Sequence, residues 1–272
     1  MSLSETKLLL RTHRIVPNKL LGQNFMVDSS VFPKLAKHAE LNGNDIVLDA
    51  GAGFGFLTRF LATQCKQVIA VEKDPRVSRV LREQLRSVPN VTVVEGDMLT
   101  VDIPEFSKAV CVPPYYLSSQ LVTWLIDHRF TLAVLVLQRE FAQRLVAVVG
   151  TEEYGWLRVV SCRRVQAELL EAVLKWMFHP RPEVDSVIVR LRPWAKLPFT
   201  VRDEALFRRL ARWLFTQRNK KLSNALVPFI KTERGVSKAE AAEIAARLPF
   251  GDRRARNLSP ENFGAIADAL TD

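Results

Sequence analysis

Four clusters of residues in this chain have the types and spacing to do chemistry. The first is the glycine turn Asp49-Ala50-Gly51-Ala52-Gly53-Phe54-Gly55. Small residues there let the backbone approach a ligand closely, and a helix starting just after them offers free N–H groups. The same turn occurs in dinucleotide enzymes and in purely structural turns, so by itself it selects no ligand. The second is Glu72, closing the apolar run Val68-Ile69-Ala70-Val71 and followed by Asp74. A carboxylate at a strand end can accept from both ribose hydroxyls; the other reading is a solvated strand-end acid. The third is Asp97 in Glu95-Gly96-Asp97-Met98, which could accept from an adenine amine or be an ordinary turn aspartate. The fourth is the stiff turn Cys111-Val112-Pro113-Pro114-Tyr115-Tyr116, with carbonyl acceptors and an aromatic ring that could hold a flat amine.

The first three fall at the ends of successive apolar runs, and together they are far more specific than any one. They favour S-adenosylmethionine over a phosphate-bearing dinucleotide, because the pattern Gly-x-Gly-x-x-Gly is absent.

The elements that must position these residues alternate. A helix is expected over about 28–41, with Asp28 or Ser29 as its cap and Val31, Leu35 and Ala39 on one face. Strands are expected at 46–48, 68–71, 91–94, 109–111 and 132–137, with helices at 57–62, 77–85 and 121–126 between them. Pro75 stands just ahead of the second of these helices, where a first-turn proline is tolerated. Continuous apolar strands separated by helices indicate a parallel sheet covered on both faces. The alternating stretch 185–192 suits an antiparallel addition at the sheet edge. The fold class is therefore α/β, a Rossmann-like methyltransferase sheet with a small C-terminal all-helical domain. Residues 8–22 read as a basic arm entering the fold. The proline-bearing segment 192–198 marks a boundary between an α/β domain, 1–195, expected to be the catalytic one, and a helical domain, 196–272. Residues 201–272 carry 14 basic against 9 acidic side chains, a net +5 that is half of the chain's +10.

That excess favours a polyanionic partner, since neutralising phosphates releases counterions from nucleic acid. No apolar run reaches the roughly 18 residues needed to cross a bilayer, and the first residues lack a secretory-signal pattern, so a cytoplasmic protein with no membrane partner is expected. Cys65, Cys111 and Cys162 are scattered, odd in number and without ligand spacing, so neither a disulfide framework nor a metal site is expected.

Further motifs carry a family resemblance. They are Leu21-Gly22-Gln23-Asn24-Phe25, Gly96-Asp97, Pro114-Tyr115, the run 137–145, Tyr154-Gly155, Phe178-His179-Pro180-Arg181-Pro182-Glu183-Val184-Asp185-Ser186, Gln217-Arg218-Asn219-Lys220-Lys221 and Arg256-Asn257-Leu258. In their joint order, over about 19–262, the chain resembles the KsgA-type ribosomal RNA adenine dimethyltransferases, which modify paired adenines near the 3′ end of small-subunit rRNA. The resemblance implies S-adenosylmethionine as cofactor, enclosed by Gln23, Asn24 and Met26, with Gly51 against its methionine portion, Glu72 on the ribose and Asp97 on the adenine. Gly53, Met98 and Val112 belong to the same expected surface. It also implies small-subunit rRNA and the small ribosomal subunit as partners of a monomer, with the C-terminal helices helping to hold RNA. Gln217 to Lys221 would otherwise read as a solvated helix face.

Methyl transfer to an adenine amine is an in-line displacement. The amine must be held at roughly 3–3.5 Å from the methyl carbon, and acceptors must face its protons as positive charge develops. The target base leaves its stack to sit against flat side chains. Tyr115 is the expected platform; Phe178 is either a second platform or core packing. In the family the turn reads Asn-(Leu/Ile)-Pro-(Tyr/Phe), and the Asn oxygen accepts from the amine. Here that position is Val112, which has no acceptor, and Tyr116 replaces a usual polar residue. Losing such a contact costs about 3 kcal/mol, or on the order of 10²–10³ in rate; the carbonyls of Pro113 and Pro114 could supply part of it. Two readings follow: an active adenine dimethyltransferase in ribosome biogenesis, or an assembly factor with weak or mono-methylating activity. The intact cofactor residues favour the enzyme.

Overall fold

The computed structural model describes residues 2–18 and 21–271. Lys19 and Leu20, part of the expected basic arm and the start of the family match, lie outside them. In order, the elements are α1 (Leu3–Thr12), β1 (Phe25–Met26), α2 (Val31–His38), β2 (Ile46–Ala50), α3 (Phe56–Ala62), β3 (Gln67–Glu72), α4 (Pro75–Leu85), β4 (Val91–Glu95), β5 (Lys108–Cys111), α5 (Ser118–Leu125), β6 (Leu132–Gln138), α6 (Arg139–Val146), α7 (Trp156–Arg164), β7 (Val165–Val173), β8 (Phe178–His179), β9 (Ser186–Pro193), α8 (Glu204–Thr216), α9 (Leu222–Arg234), α10 (Lys238–Arg247) and α11 (Pro260–Thr271). They cluster into two compact units: Met1–Ala142 with Gln166–Pro193, and Gln143–Val165 with Trp194–Asp272.

The first unit is built on a seven-stranded sheet in the order β4-β3-β2-β5-β6-β9-β7. Strands β2 to β6 pair in parallel, and β9 joins β6 antiparallel with Gln138 opposite Ser186. The five expected parallel strands are all present. The antiparallel strand is present too, but it is internal: β7 takes the edge, so the edge placement expected for 185–192 is corrected. The central strands are apolar because both faces are covered. Leu132 to Leu137 are all buried, as are Val47 to Ala50 and Val68 to Val71.

Chain order reverses at β2, which has β3 on one side and β5 on the other. This is the point beyond which ligands bind in open α/β sheets. The glycine turn leaves its carboxyl end. Helix α4 begins on Pro75, and Asp74 caps it by accepting from Arg76 N. Helix α2 is shorter than expected, with Ser30 at its cap position rather than Asp28 or Ser29; Asp28 instead accepts from Ser30 N at 2.9 Å.

The basic arm starts as a helix. Ser2 caps α1 by accepting from Glu5 N, and the helix buries Thr6 and Leu10. Leu10 and Ile15 pack with Phe25 and Phe54 in one apolar cluster, so the arm is anchored beside the glycine turn.

The second unit's segment 201–272 is helical, as its periodicity indicates. Leu206, Phe207, Leu210, Ala211 and Leu214 form the buried stripe of α8. Asp203 caps α8, a capping box opens α10, and Gly235 ends α9 in the left-handed conformation that glycine adopts without strain. Residues 217–221 form the turn between α8 and α9 rather than a helix face. Arg218 there donates to the carbonyls of Thr151 and Glu152, and Lys221 pairs with Asp252 at 3.0 Å.

Candidate cofactor and substrate site

One cavity beyond the carboxyl ends of β2, β3, β4 and β5 is lined by Gln23, Asn24, Met26, Gly51, Gly53, Glu72, Asp97, Met98, Val112 and Pro114. Nearly all the residues singled out in the sequence thus meet in one place. Pro113, Tyr115 and Phe178 are not among its lining residues.

The glycine turn holds its shape through backbone bonds: the N–H groups of Gly51 and Ala52 donate to Val71 O at 2.8 and 3.1 Å. Gly51 has φ +80°, and a Cβ there would stand 2.7 Å from Pro114 Cδ. The turn therefore touches the Val112–Tyr115 segment with no room for a side chain. Gly53 approaches the Phe25 ring, which stacks on Phe54 with centroids 4.4 Å apart.

Glu72 is 9% exposed. Its Oε2 accepts from Gly53 N and its Oε1 from Asp74 N, both at 2.9 Å. Burial raises its pKa, while those N–H groups act against the rise. The carboxylate is thus fixed at the strand end with lone pairs to spare for a diol. Asp97 accepts from Lys73 Nζ at 2.8 Å and from Leu99 N at 3.0 Å, and these bonds hold its pKa below the usual value.

Gln23 works inside the protein: its Oε1 accepts from Asn18 N at 2.8 Å, and its Nε2 donates to Asp74 at 2.9 Å. It ties the segment above the cavity to the cap of α4. Asn24 donates to Gly22 O at 3.1 Å. Met26 pairs with Phe178 across the small β1–β8 sheet.

The turn after β5 is anchored at both ends. The Tyr115 hydroxyl lies 2.8 Å from Ser186 Oγ, and Ser186 is fully buried. The Asp185 carbonyl accepts from Arg139 N, and its carboxylate from Lys175 N. The Pro-x-Pro-x-Val-Asp-Ser motif therefore pins Tyr115 from a position 71 residues further along the chain. The Phe178 ring is edge-on to Tyr115, with centroids 6.3 Å apart. At 3% exposure it is a core residue backing Tyr115 rather than an open face. The Pro114 carbonyl accepts from Leu117 N at 3.0 Å, and the proline nitrogens bear no hydrogen. The carbonyls of Val112 and Pro113 are the acceptors left in the turn, while the Val112 side chain packs on the apolar core.

Three polar lining residues were given no individual role in the sequence reading. Asp49 is buried, accepts from Thr58 Oγ1 at 2.7 Å, and burial pushes its pKa up to about 7. Lys73 pairs with Asp97, and Tyr116 is 45% exposed at the cavity wall. Each adjoins a residue that was singled out, but only the side-chain directions show which of them face the cavity.

The donor set fits S-adenosylmethionine. Three carboxylates and one lysine line the cavity, and the lysine is already paired. Such a surface disfavours a pyrophosphate and suits a cationic sulfonium nucleoside with a free ribose diol. Among the described residues no group of His, Cys, Asp and Glu could hold a metal ion, and no helix is long and apolar enough to cross a membrane.

Known proteins resemble this chain in sequence and fold. The family model described as ribosomal RNA adenine dimethylase matches residues 16–256. A probable ribosomal RNA small subunit methyltransferase A of Methanosarcina mazei is 39% identical over 92% of both chains. Its counterpart in Thermococcus kodakarensis is 37% identical over 96% of this chain and 93% of its own. A dimethyladenosine transferase from Plasmodium falciparum superposes with a TM-score of 0.73 at 27% identity, covering 88% of this chain and 94% of that one. The 23S rRNA methyltransferase ErmE superposes with a TM-score of 0.64 at 29% identity, over 92% and 100%.

Proposed function

This chain belongs to the ribosomal RNA adenine dimethylase family, and on that basis we propose that it methylates the exocyclic amines of adjacent adenines near the 3′ end of small-subunit rRNA, using S-adenosylmethionine, during ribosome biogenesis. The observation that carries this reading is the direct contact of two turns. Gly51 of the nucleoside-facing turn packs on Pro114 of the amine-facing turn, as a donor and an acceptor that must meet in line require.

The geometry supports the following residue roles. Glu72, fixed by two N–H groups, binds the ribose hydroxyls. Asp97 accepts from the cofactor adenine, Met98 and Met26 provide apolar walls, and Gly51 and Gly53 admit the methionine portion to the backbone. Gln23 and Asn24 close this wall from the amino-terminal side. When bound, the cofactor supplies an electrophilic methyl group on sulfur. The chain orients the amine: Tyr115, backed by Phe178 and held by Ser186, stacks on the flipped base. The Val112 and Pro113 carbonyls accept the amine protons as charge develops. No strong base is required, since the methylated cationic amine loses its proton readily.

The protein acts as a cytoplasmic monomer on the small ribosomal subunit, with the turn 217–221 of the second unit among its RNA contacts; Asn219 and Lys220 there are exposed. Incubating the protein with unmethylated small subunits and labelled cofactor, then mapping methyl-adenines by mass spectrometry, tests the reading. Two methyls on neighbouring adenines are expected. Cofactor binding without transfer would reject it.

A further inference from the structure

Helix α1 and the segment that follows it form a second concavity, lined by Lys7, Leu10, Arg11, Arg14, Val16 and His179, with Ile15 and Pro17 beneath. Its polar lining is cationic or imidazole, and no acidic side chain lines it. Lys7, Arg11 and Arg14 are exposed, and none is in an ion pair among the described residues. Some cations of this unit are paired, as Lys73, Arg76, Lys108, Arg190 and Arg192 are; Lys7, Arg11 and Arg14 are set apart by lining one concavity together. Helical spacing explains the convergence: Lys7 and Arg11 are four residues apart and share a face. Arg14, with φ +52°, turns the chain so that Ile15 enters the core beside Leu10. Three unpaired cations on one concave surface repel one another, and that arrangement is relieved by an anion.

The place of this cleft in the fold says which anion. His179 stands opposite Phe25 in the β1–β8 pair, and its neighbour Phe178 stands opposite Met26 and packs on Tyr115. Successive strand residues point to opposite faces, so His179 faces the cleft while Phe178 backs the substrate turn. A polyanion lying in the cleft is thus one residue of backbone away from the platform for the target base. Burial and the charge of Lys7 lower the His179 pKa, so at neutral pH it offers a neutral N–H donor between charged neighbours.

We infer that Lys7, Arg11, Arg14 and His179 form a phosphate-binding cleft that holds the RNA backbone flanking the flipped adenine. This rests on the RNA-methylating reading above and adds to it a separate anchoring site on the catalytic unit. Phosphate contacts of this kind fix register and orientation without reading sequence. Gripping the strand beside the target base would help hold that base out of its stack.

The test is the variant Lys7→Gln/Arg11→Gln/Arg14→Gln, which removes charge from exposed positions and keeps a Cβ at each. Its control is Lys37→Gln/Lys66→Gln/Arg86→Gln, which makes the same charge change at exposed positions of the same unit outside the cleft. Binding of a single-stranded transcript of the small-subunit rRNA 3′ end is measured as a function of salt, alongside S-adenosylmethionine binding. The cleft variant is expected to lose roughly 0.7 per cation, or about 2 in all, from the slope of log K against log salt. It should raise KM for RNA at least tenfold and leave cofactor affinity unchanged; the control should move the slope by much less. If wild type and cleft variant share one slope and one KM, or if the control matches the cleft variant, the cleft is overturned and the enzyme reading stands. A wild-type protein that binds cofactor but neither binds nor methylates RNA would overturn both.

Discussion

A Cβ on Gly51 would lie 2.7 Å from Pro114 Cδ, so the turn after β2 and the turn after β5 are in contact with no space between them. Gly51 also has φ +80°, where a side chain is strained whatever the space. The proline ring cannot swing away as a flexible side chain would. Gly51→Ala is therefore expected to cost about 1–3 kcal/mol in stability and to weaken S-adenosylmethionine binding at least tenfold. Thermal denaturation and calorimetric titration measure the two. Wild-type affinity in the variant would mean that the turns move apart freely.

The bond between Tyr115 and Ser186 fixes the ring proposed to stack on the substrate base. Tyr115→Phe and Ser186→Ala each remove it, and each should lower kcat severalfold. In a double-mutant cycle the two should couple by about 0.5–1.5 kcal/mol. Tyr115→Ala, which removes the platform itself, should cost on the order of 10² or more in kcat/KM. Additive single effects would show that the hydroxyl pair does not position the ring.

Asp49 gives a pH dependence of known sign. Its carboxyl keeps its proton up to about pH 7 in the folded protein because of burial, against an ordinary carboxylate value when unfolded. Between those limits the native state binds the extra proton. Its contribution is therefore fully present at low pH and is lost as pH rises toward 7. For the cofactor-free protein this term removes roughly 2–3 kcal/mol between pH 5 and pH 8. Asp49→Asn keeps an acceptor for Thr58 and should flatten that part of the profile. Urea denaturation at the two pH values decides it; an unchanged loss in the variant would place the titration elsewhere.

Val112→Asn places a side-chain acceptor at the position proposed to face the amine. It is expected to raise single-turnover methylation by about tenfold or more, toward the full value of a preorganised contact. An unchanged or lower rate would mean that the carbonyls of Val112 and Pro113 have taken over the role and that the turn is built around valine.

In the second unit, the buried Arg163 depends on Glu204, which also pairs with Arg164 and Arg208. Removing one partner of a buried pair leaves an uncompensated charge. Glu204→Ala is expected to destabilise that unit by about 3–5 kcal/mol and to increase its susceptibility to limited proteolysis. Protease resistance equal to wild type would show that water or a rearrangement satisfies the guanidinium.

By itself, the sequence determined what is local. Apolar runs ending in Ala50, Glu72 and Cys111 are parallel strands covered on both faces, and the run ending in Glu95 extends them at the edge. A residue that ends such a run lies at the carboxyl edge of the sheet, so Gly51, Glu72, Asp97 and Val112 could be brought together on paper. Pairings between distant segments were left to the tertiary structure. β7 carries the helix-favouring stretch Gln166-Ala167-Glu168-Leu169-Leu170-Glu171-Ala172. It is a strand because its backbone bonds to β9 outweigh that preference, and it displaces β9 from the edge. Phe25 and His179, and Tyr115 and Ser186, meet only through long-range pairing. Such contacts buried Phe178, bonded the cavity-lining Gln23 to Asp74, and turned the unpaired cations of α1 toward His179. Side-chain direction and burial depend on what packs from elsewhere in the chain. The chemistry was legible from residue types, whereas the division between residues that touch a ligand and residues that hold them was decided by packing.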